Sequence, residues 1–352
     1  MIIDPGRVEQ YRLPQEENER IFHEEIAADL LADRTGQETP TVVFLIGQPG
    51  AGKSRVTEMV AEKLNAQGGF ADIDSDLYKP YHPAYEDLMA EDDTLMAAYT
   101  RADGRAWMAL AEEYVRSHKL NAVIQETSQN PEAVADKMRA YRAHGFRVEA
   151  LFMGVSKAES DQGVCNRYAT QRADGRGGRL TVRANADESF HGIPVLADVV
   201  DRDALAHQSS VFRRGEGEPR YSNTLDASDR WSAPPATRES VETERSRPLP
   251  PDQSRGFADT QLHLRALTDI PDPEWPDRLN EIERNATPLL RPADARRLSI
   301  PTRPSASAAR SRSTTVRKPD QPPQGASRKA EPRQQPPPHR LSGPETGRGR
   351  TR

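Results

Sequence analysis

The chain has 352 residues, 35% hydrophobic and 29% charged, with a formal net charge of −5, and its single cysteine, Cys165, excludes an intramolecular disulfide and a cysteine-built zinc site. Charge is unevenly spread: residues 301–352 hold twelve Lys or Arg against three Asp or Glu, so they carry +9 and leave −14 for residues 1–300. The opening MIIDPGRVEQYRLPQEENER has no apolar signal-peptide core and nowhere do eighteen apolar residues run together, which points to a cytoplasmic protein without a membrane span.

In chain order, Gln15 to Ala32 places Ile21, Phe22, Ile26, Leu30 and Leu31 on one helical stripe behind Pro14. Residues 1–40 are therefore expected to form a helical extension packed on a core. The apolar run 41-TVVFLI-46 reads as a buried strand, followed by the glycine-rich 47-GQPGAGKS-54 and the helix-compatible RVTEMVAEKLNAQ. A short strand is expected near 70-FADID-74, helices over about 84–98 and 104–118, and a strand at 121-NAVIQE-126. A helix over 131–144 ends at Gly145, and 146-FRVEALFMGV-155 is a further strand. A helix over about 157–172, the stretch 173-ADGRGGRLTVR-183, another helical region and a hairpin at 211-VFRRGEGEPRYS-222 close the body. Strands alternating with helices of this length imply an α/β, P-loop NTPase-like fold, a mostly parallel sheet with helices on both faces. Ligands of such sheets bind at the carboxyl ends of the strands.

The body is expected to span 41–223. Residues 224–300 read as a linker with one short helix near 275-WPDRLNEIERN-285, where Trp275, Leu279 and Ile282 share a side. Residues 301–352 contain ten Pro and no Phe, Trp or Tyr, too little apolar surface to offset chain entropy, so a disordered tail is expected. Lacking aromatic residues to stack bases, this tail does not point to nucleic acid; 335-QPPPH-339 is a weak polyproline signal.

The eight residues Gly47, Gln48, Pro49, Gly50, Ala51, Gly52, Lys53 and Ser54 have the G-x-x-x-x-G-K-[ST] pattern. Glycine permits the backbone to wrap an anion with its N–H groups inward, Lys53 adds a mobile positive charge, and the following helix presents unpaired N–H groups to the same point. Ser54 would offer a hydroxyl to a magnesium ion on the outer phosphates. ATP and Mg2+ are the cofactors this pattern implies.

Carboxylates suggest what the phosphate meets. In 72-DIDSDLYKPYHP-83, Asp72, Asp74 and Asp76 fall where the second strand ends. A carboxylate there can take the proton of an attacking hydroxyl, or can simply cap a helix.

With GQPGAGKS, DSDLYK and the following YHP, the chain from about Arg12 to Asn223 resembles the zeta toxin family, P-loop kinases of bacterial toxin–antitoxin systems that phosphorylate the 3′-hydroxyl of UDP-N-acetylglucosamine. The resemblance implies Asp76 as catalytic base, with Asp74 and Lys79 supporting the site, His82 either supporting it or packing structurally beside Pro83, and Asp72 outside the chemistry. It implies that Glu126, in 123-VIQETSQNP-131, reaches magnesium or substrate, although the family's acidic position also aligns with Gln125, and that Thr127 bonds the sugar. It further implies that Arg167, in 166-NRYATQR-172, and Arg183, in 181-TVRAN-185, clamp the transferring phosphoryl group. Arg176 and Arg179 belong to a mobile lid or to a solvated loop. Tyr99 and Trp107 stack on a uracil or belong to the core, the commoner fate at helical spacing. Expected partners are ATP, a sugar-nucleotide acceptor and a separate antitoxin chain. Two rivals stand beside this reading: a kinase for another hydroxyl, such as an antibiotic or nucleoside, and a nucleotide-dependent switch acting through the basic tail. A switch needs Lys53 but no proton acceptor at Asp76.

Overall fold

Among the described residues, six strands form one sheet in the order β2-β3-β1-β4-β5-β6, with β1 at Thr41–Ile46, β2 at Ala71–Ile73, β3 at Ala122–Glu126, β4 at Arg147–Met153, β5 at Gln208–Phe212 and β6 at Tyr221–Thr224. Only the β5–β6 pairing is antiparallel. This computed structural model describes residues 5–91, 96, 98–174 and 180–299. The expected disordered tail 301–352 and the residues Arg176 and Arg179 lie outside the described residues.

Alternation along β1 divides the core. Val42, Phe44 and Ile46 enter a cluster with Ile21, Phe22, Trp107 and Met138, while Val43 and Leu45 meet Val56, Val60 and Leu64 of the helix Ser54–Asn65. Both faces of the strand are buried, which is why it reads as an unbroken apolar run. Helices on the two faces follow, as the sequence implies. The expected N-terminal helix is present with a change of winding: α-helix over Gln15–Ile21, a π-turn over Phe22–Ile26 and α-helix over Ala27–Leu30. Trp107 and Tyr99 are core residues; Trp107 Nε1 donates to Asn18 O at 2.8 Å and Tyr99 stacks on Tyr11 with ring centroids 5.4 Å apart.

Local signals set where each helix begins. Asn130 accepts from Ala133 N–H at 3.1 Å and Pro131 opens the helix Pro131–Ala143. Ser156 and Glu159 form a reciprocal capping box ahead of the helix Lys157–Ala173. Each cap follows a strand end within a few residues, which holds the intervening loops short and fixed.

Residues beyond β6 depart from expectation. In place of a linker with one short helix there are four helices, Thr237–Ser246, Pro251–Ala266, Trp275–Ala286 and Pro292–Leu298, and the described residues up to Leu298 belong to one compact unit. The region is polar on average, but its few apolar residues converge: Phe257, Leu264, Trp275, Leu279 and Ile282 pack on Ala158, Cys165, Tyr168 and Ala169 of the helix Lys157–Ala173. Gln162 reinforces the contact, Nε2 donating to Phe257 O at 2.9 Å and to Gln261 Oε1 at 3.0 Å.

A chain ending at Asn223 would expose this apolar face and leave Gln162 without its buried partners. We expect that chain to aggregate or lose cooperative thermal unfolding, and one ending at Ser299 to stay soluble and unfold as the full chain does. Equal solubility and cooperativity of both would show that the helices after β6 are dispensable for folding.

Candidate functional site

β1 runs between β3 and β4 in a register that pairs Ile46 with Glu126 on one side and Phe152 on the other. The glycine loop therefore leaves β1 level with the carboxyl ends of both neighbours, and Gly47 N–H donates to Glu126 O at 3.0 Å. Gly50 and Gly52 have φ of +78° and +76°, angles that a side chain disfavours, so the loop needs glycine at both places. A Cβ on Gly50 would stand 2.0 Å from Ser160 O. The loop is thus seated directly on the helix Lys157–Ala173. Gln48 is buried beneath it, donating to Val155 O at 2.9 Å and to Ser160 Oγ at 3.3 Å.

Lys53 stands at the start of the helix Ser54–Asn65, whose first N–H groups have no partner within the helix. Its Nζ donates to Gly47 O at 3.2 Å. Burial pulls its pKa below the ordinary lysine value; Asp74, Glu126 and Asp76 oppose that shift and Arg167 adds to it. Four other residues expected at the site, Asp74, Asp76, Glu126 and Arg167, therefore each act electrostatically on Lys53.

The three aspartates have three different surroundings. Asp74 caps the short helix Ser75–Tyr78 by accepting Asp76 N–H at 2.9 Å, and burial together with Asp76 pushes its carboxyl above the usual range. Asp76 is largely exposed and paired with Lys79, whose stem is buried. Asp72 lies within β2, where burial and the neighbouring Asp74 push its carboxyl up to about 7 against a hydrogen bond from Gln125. One Asp72 oxygen is buried with no hydrogen-bond partner, the surroundings of a carboxyl that favours its protonated form.

His82 points away from these carboxylates. Its Nδ1 accepts Ala84 N–H at 3.2 Å, so Nε2 carries the proton and faces Tyr11 O at 3.1 Å and Asp103 Oδ2 at 3.4 Å. Asp103 also accepts from Asn18 Nδ2 at 3.1 Å. Here the His-Pro element ties the N-terminal segment to the loop behind Asp76, a structural contact.

At the end of β3, Glu126 accepts from Lys137 at 2.9 Å, and Lys137 also binds Glu112 at 2.8 Å. Thr127 is half-buried beside it, and Ser128 follows with φ +58°. A Cβ on Gly192 would lie 1.9 Å from Ser128 O, so this loop is pressed against the helix Arg183–Arg202. Arg183, at the start of that helix, is placed differently from Arg167. It pairs with Glu281 and lies 3.7 Å from Glu274, lining a small cavity with Lys157, Asp161, Cys165 and Arg278. Glu281 carries no motif that ties it to the site, because it belongs to a helix in the region read as a linker. Lys137 is likewise unmarked in the sequence: a lone cation on a helix has no spacing that singles it out.

The family model of the zeta toxin matches residues 27–226. The chain belongs to the zeta toxin family. The zeta toxin of Streptococcus agalactiae is 25% identical over 195 residues, 55% of this chain and 67% of that protein. The zeta toxin of Enterococcus hirae is 25% identical over 197 residues, 55% of this chain and 68% of its own length. A solved chain from a study of the PezAT chromosomal toxin–antitoxin system of Streptococcus pneumoniae shares the fold, with a TM-score of 0.57 at 15% identity over 78% of this chain and 98% of that one. Zeta toxins are ATP-using kinases, and the helices after residue 226 lie beyond the matched segment.

Asp72 yields a pH prediction. Its folded pKa of about 7 exceeds the unfolded value of about 3.9, so the folded chain holds more protons between those limits and stability falls as pH rises through the window. Asp72→Asn removes the penalty. Its melting temperature should exceed that of the parent by a few degrees at about pH 8 and converge with it near pH 4. A difference that does not change with pH would mean that Asp72 ionises in the folded chain as it does in the unfolded one.

Proposed function

We propose that this zeta toxin is a magnesium- and ATP-dependent kinase that transfers the γ-phosphoryl group to a sugar hydroxyl of UDP-N-acetylglucosamine or a related acceptor. The observation that carries the reading is that Lys53 feels the carboxylates of Asp74, Asp76 and Glu126, which stand at or just past the ends of β2 and β3, together with Arg167 of the helix Lys157–Ala173. Residues Gly47 to Ser54 hold the phosphates, with Lys53 on the outer pair. Asp76 takes the acceptor proton; its exposure leaves it open to an incoming hydroxyl, and Lys79 fixes its orientation. Asp74 and Thr127 position the acceptor. Arg167 meets the charge that develops on the transferring group.

Arg183 joins this clamp by exchanging Glu281 for phosphate oxygens, an exchange of one charge-assisted pair for another. The residues fit a magnesium ion: Ser54 supplies a hydroxyl at the first helical turn and several carboxylates stand around Lys53, whereas Mg2+ needs only one or two beside the phosphates. Ser54 and Glu126 would hold it, Glu126 by giving up Lys137, and the ion would neutralise phosphate charge. As in other toxin–antitoxin pairs, a separate antitoxin chain is the protein partner, and the cytoplasm, which supplies ATP and sugar nucleotides, is the place of action. No helix among the described residues is long and apolar enough to cross a membrane.

The test is to incubate the chain with ATP, magnesium and a panel of sugar nucleotides, nucleosides and hydroxylated antibiotics, and to measure a mass gain of one phosphoryl group on UDP-N-acetylglucosamine. Asp76→Asn should bind ATP within a few-fold of the parent and transfer about 100-fold or more slowly, while Lys53→Ala should lose both. Transfer only to another acceptor would move the substrate assignment. Normal transfer by Asp76→Asn would give the base to Asp74 or Glu126, and tight ATP binding with no transfer to anything would leave a nucleotide switch.

A further inference from the structure

Arg214 lies just beyond β5, in the turn toward β6, and reaches back under the glycine loop. Its Nη1 donates to two carbonyls at once, Gly50 O of the loop at 3.0 Å and Glu159 O in the first turn of the helix Lys157–Ala173 at 2.7 Å. Its stem fills the space where residue 52 would carry a side chain: a Cβ on Gly52 would stand 2.9 Å from Arg214 Cγ. Gly163 opens the same junction from the helix side, since a Cβ there would lie 2.5 Å from Gly50 O and 2.9 Å from Arg214 Nη1. Arg167 is one helical turn past Gly163, on the helix that the guanidinium holds.

The guanidinium has a further property. No carboxylate of the described residues forms an ion pair with it; Glu159 is the opposing charge that acts on it, and that carboxylate is engaged in its own capping box. Burial accordingly pulls its pKa down. An arginine serving only as a structural filler would be better matched by a carboxylate or replaced by an apolar side chain. Two backbone carbonyls from separate elements are its partners instead, so what it joins is the placement of one backbone relative to another.

We propose that Arg214 is a positioning residue for phosphoryl transfer, a clasp that sets the phosphate-holding loop and the Arg167 helix at a fixed separation. The inference rests on the kinase reading above. ATP in its ground state contacts the loop, whereas Arg167 acts most strongly as charge develops on the transferring group. Loosening the clasp should therefore slow turnover more than it weakens binding.

The experiment measures ADP formation from ATP, with and without UDP-N-acetylglucosamine, and ATP affinity by direct titration, for the full chain and for Arg214→Met and Arg214→Lys. Methionine keeps much of the stem over Gly52 and removes both donors, so kcat should fall about tenfold or more with the ATP Kd within about threefold. Lysine keeps the charge and can donate to both carbonyls, so it should recover most of the loss. In a double-mutant cycle, Arg214→Met combined with Arg167→Ala should be little slower than Arg167→Ala alone, because both remove the same contribution. Wild-type turnover in Arg214→Met, losses that multiply in the cycle, or a loss confined to ATP affinity would each overturn the clasp. Should Arg214→Met fail to fold, Gly163→Ala forces the same junction apart and should give the same selective loss of kcat; normal turnover in that variant overturns the proposal. A parent chain that forms no ADP defeats the kinase reading itself, whereas an active parent matched by Arg214→Met defeats only the clasp.

Discussion

The close approach of the glycine loop to the helix Lys157–Ala173 is the contact on which the other parts of the site depend. Gly50 and Gly163 are both glycine because their backbones meet where a Cβ would collide with a carbonyl oxygen. The consequence is that the loop cannot shift without the helix. Gln48, reaching Val155 and Ser160 from inside the loop, and Arg214, reaching Gly50 and Glu159 from outside it, grip the two sides of this junction. On its far side the same helix receives Trp275, Leu279 and Phe257. One helix thus transmits the packing of the region after β6 to the loop at the end of β1.

Charge is distributed around Lys53 so that neither sign dominates. The three carboxylates of Asp74, Asp76 and Glu126 support its ammonium, while Arg167 works against it. Two of the carboxylates are held by lysines, Asp76 by Lys79 and Glu126 by Lys137. Asp76 is the exposed member of its pair, whereas Glu126 is largely buried, so losing Lys79 would cost little and losing Lys137 would leave Glu126 needing another cation.

Most of the fold was legible in the sequence because its signals are local. Six uncharged residues before a glycine loop mark β1, and the helices expected over 131–144 and about 157–172 are found at Pro131–Ala143 and Lys157–Ala173. What could not be read depends on contacts between distant segments. The helices after β6 have a polar average composition, and their apolar residues acquire meaning only against Ala158, Cys165 and Tyr168, about a hundred positions earlier. The site divides in the same way. The residues brought near Lys53 sit at strand ends or one helical turn from the loop, where short motifs suffice. Arg183 follows a motif too, yet its partner Glu281 comes from a helix that no motif announces. The ordinary appearance of Arg214 in a hairpin hides two bonds to backbone atoms 55 and 164 positions away.

The seam between the helix Lys157–Ala173 and the helices after β6 contains the chain's one sulfhydryl. Cys165 is buried there, and burial pushes its thiol up to about 12, so at neutral pH little of it is the nucleophilic thiolate. Its alkylation rate is therefore expected to rise when those helices separate from the body, because parting the seam both exposes the sulfur and lifts the penalty of burial on the thiolate. A natural chain with no second cysteine to confuse the reading needs no engineered label: the time course of a single mass increment would show how often the support behind Arg167 lets go, and whether ATP holds it shut.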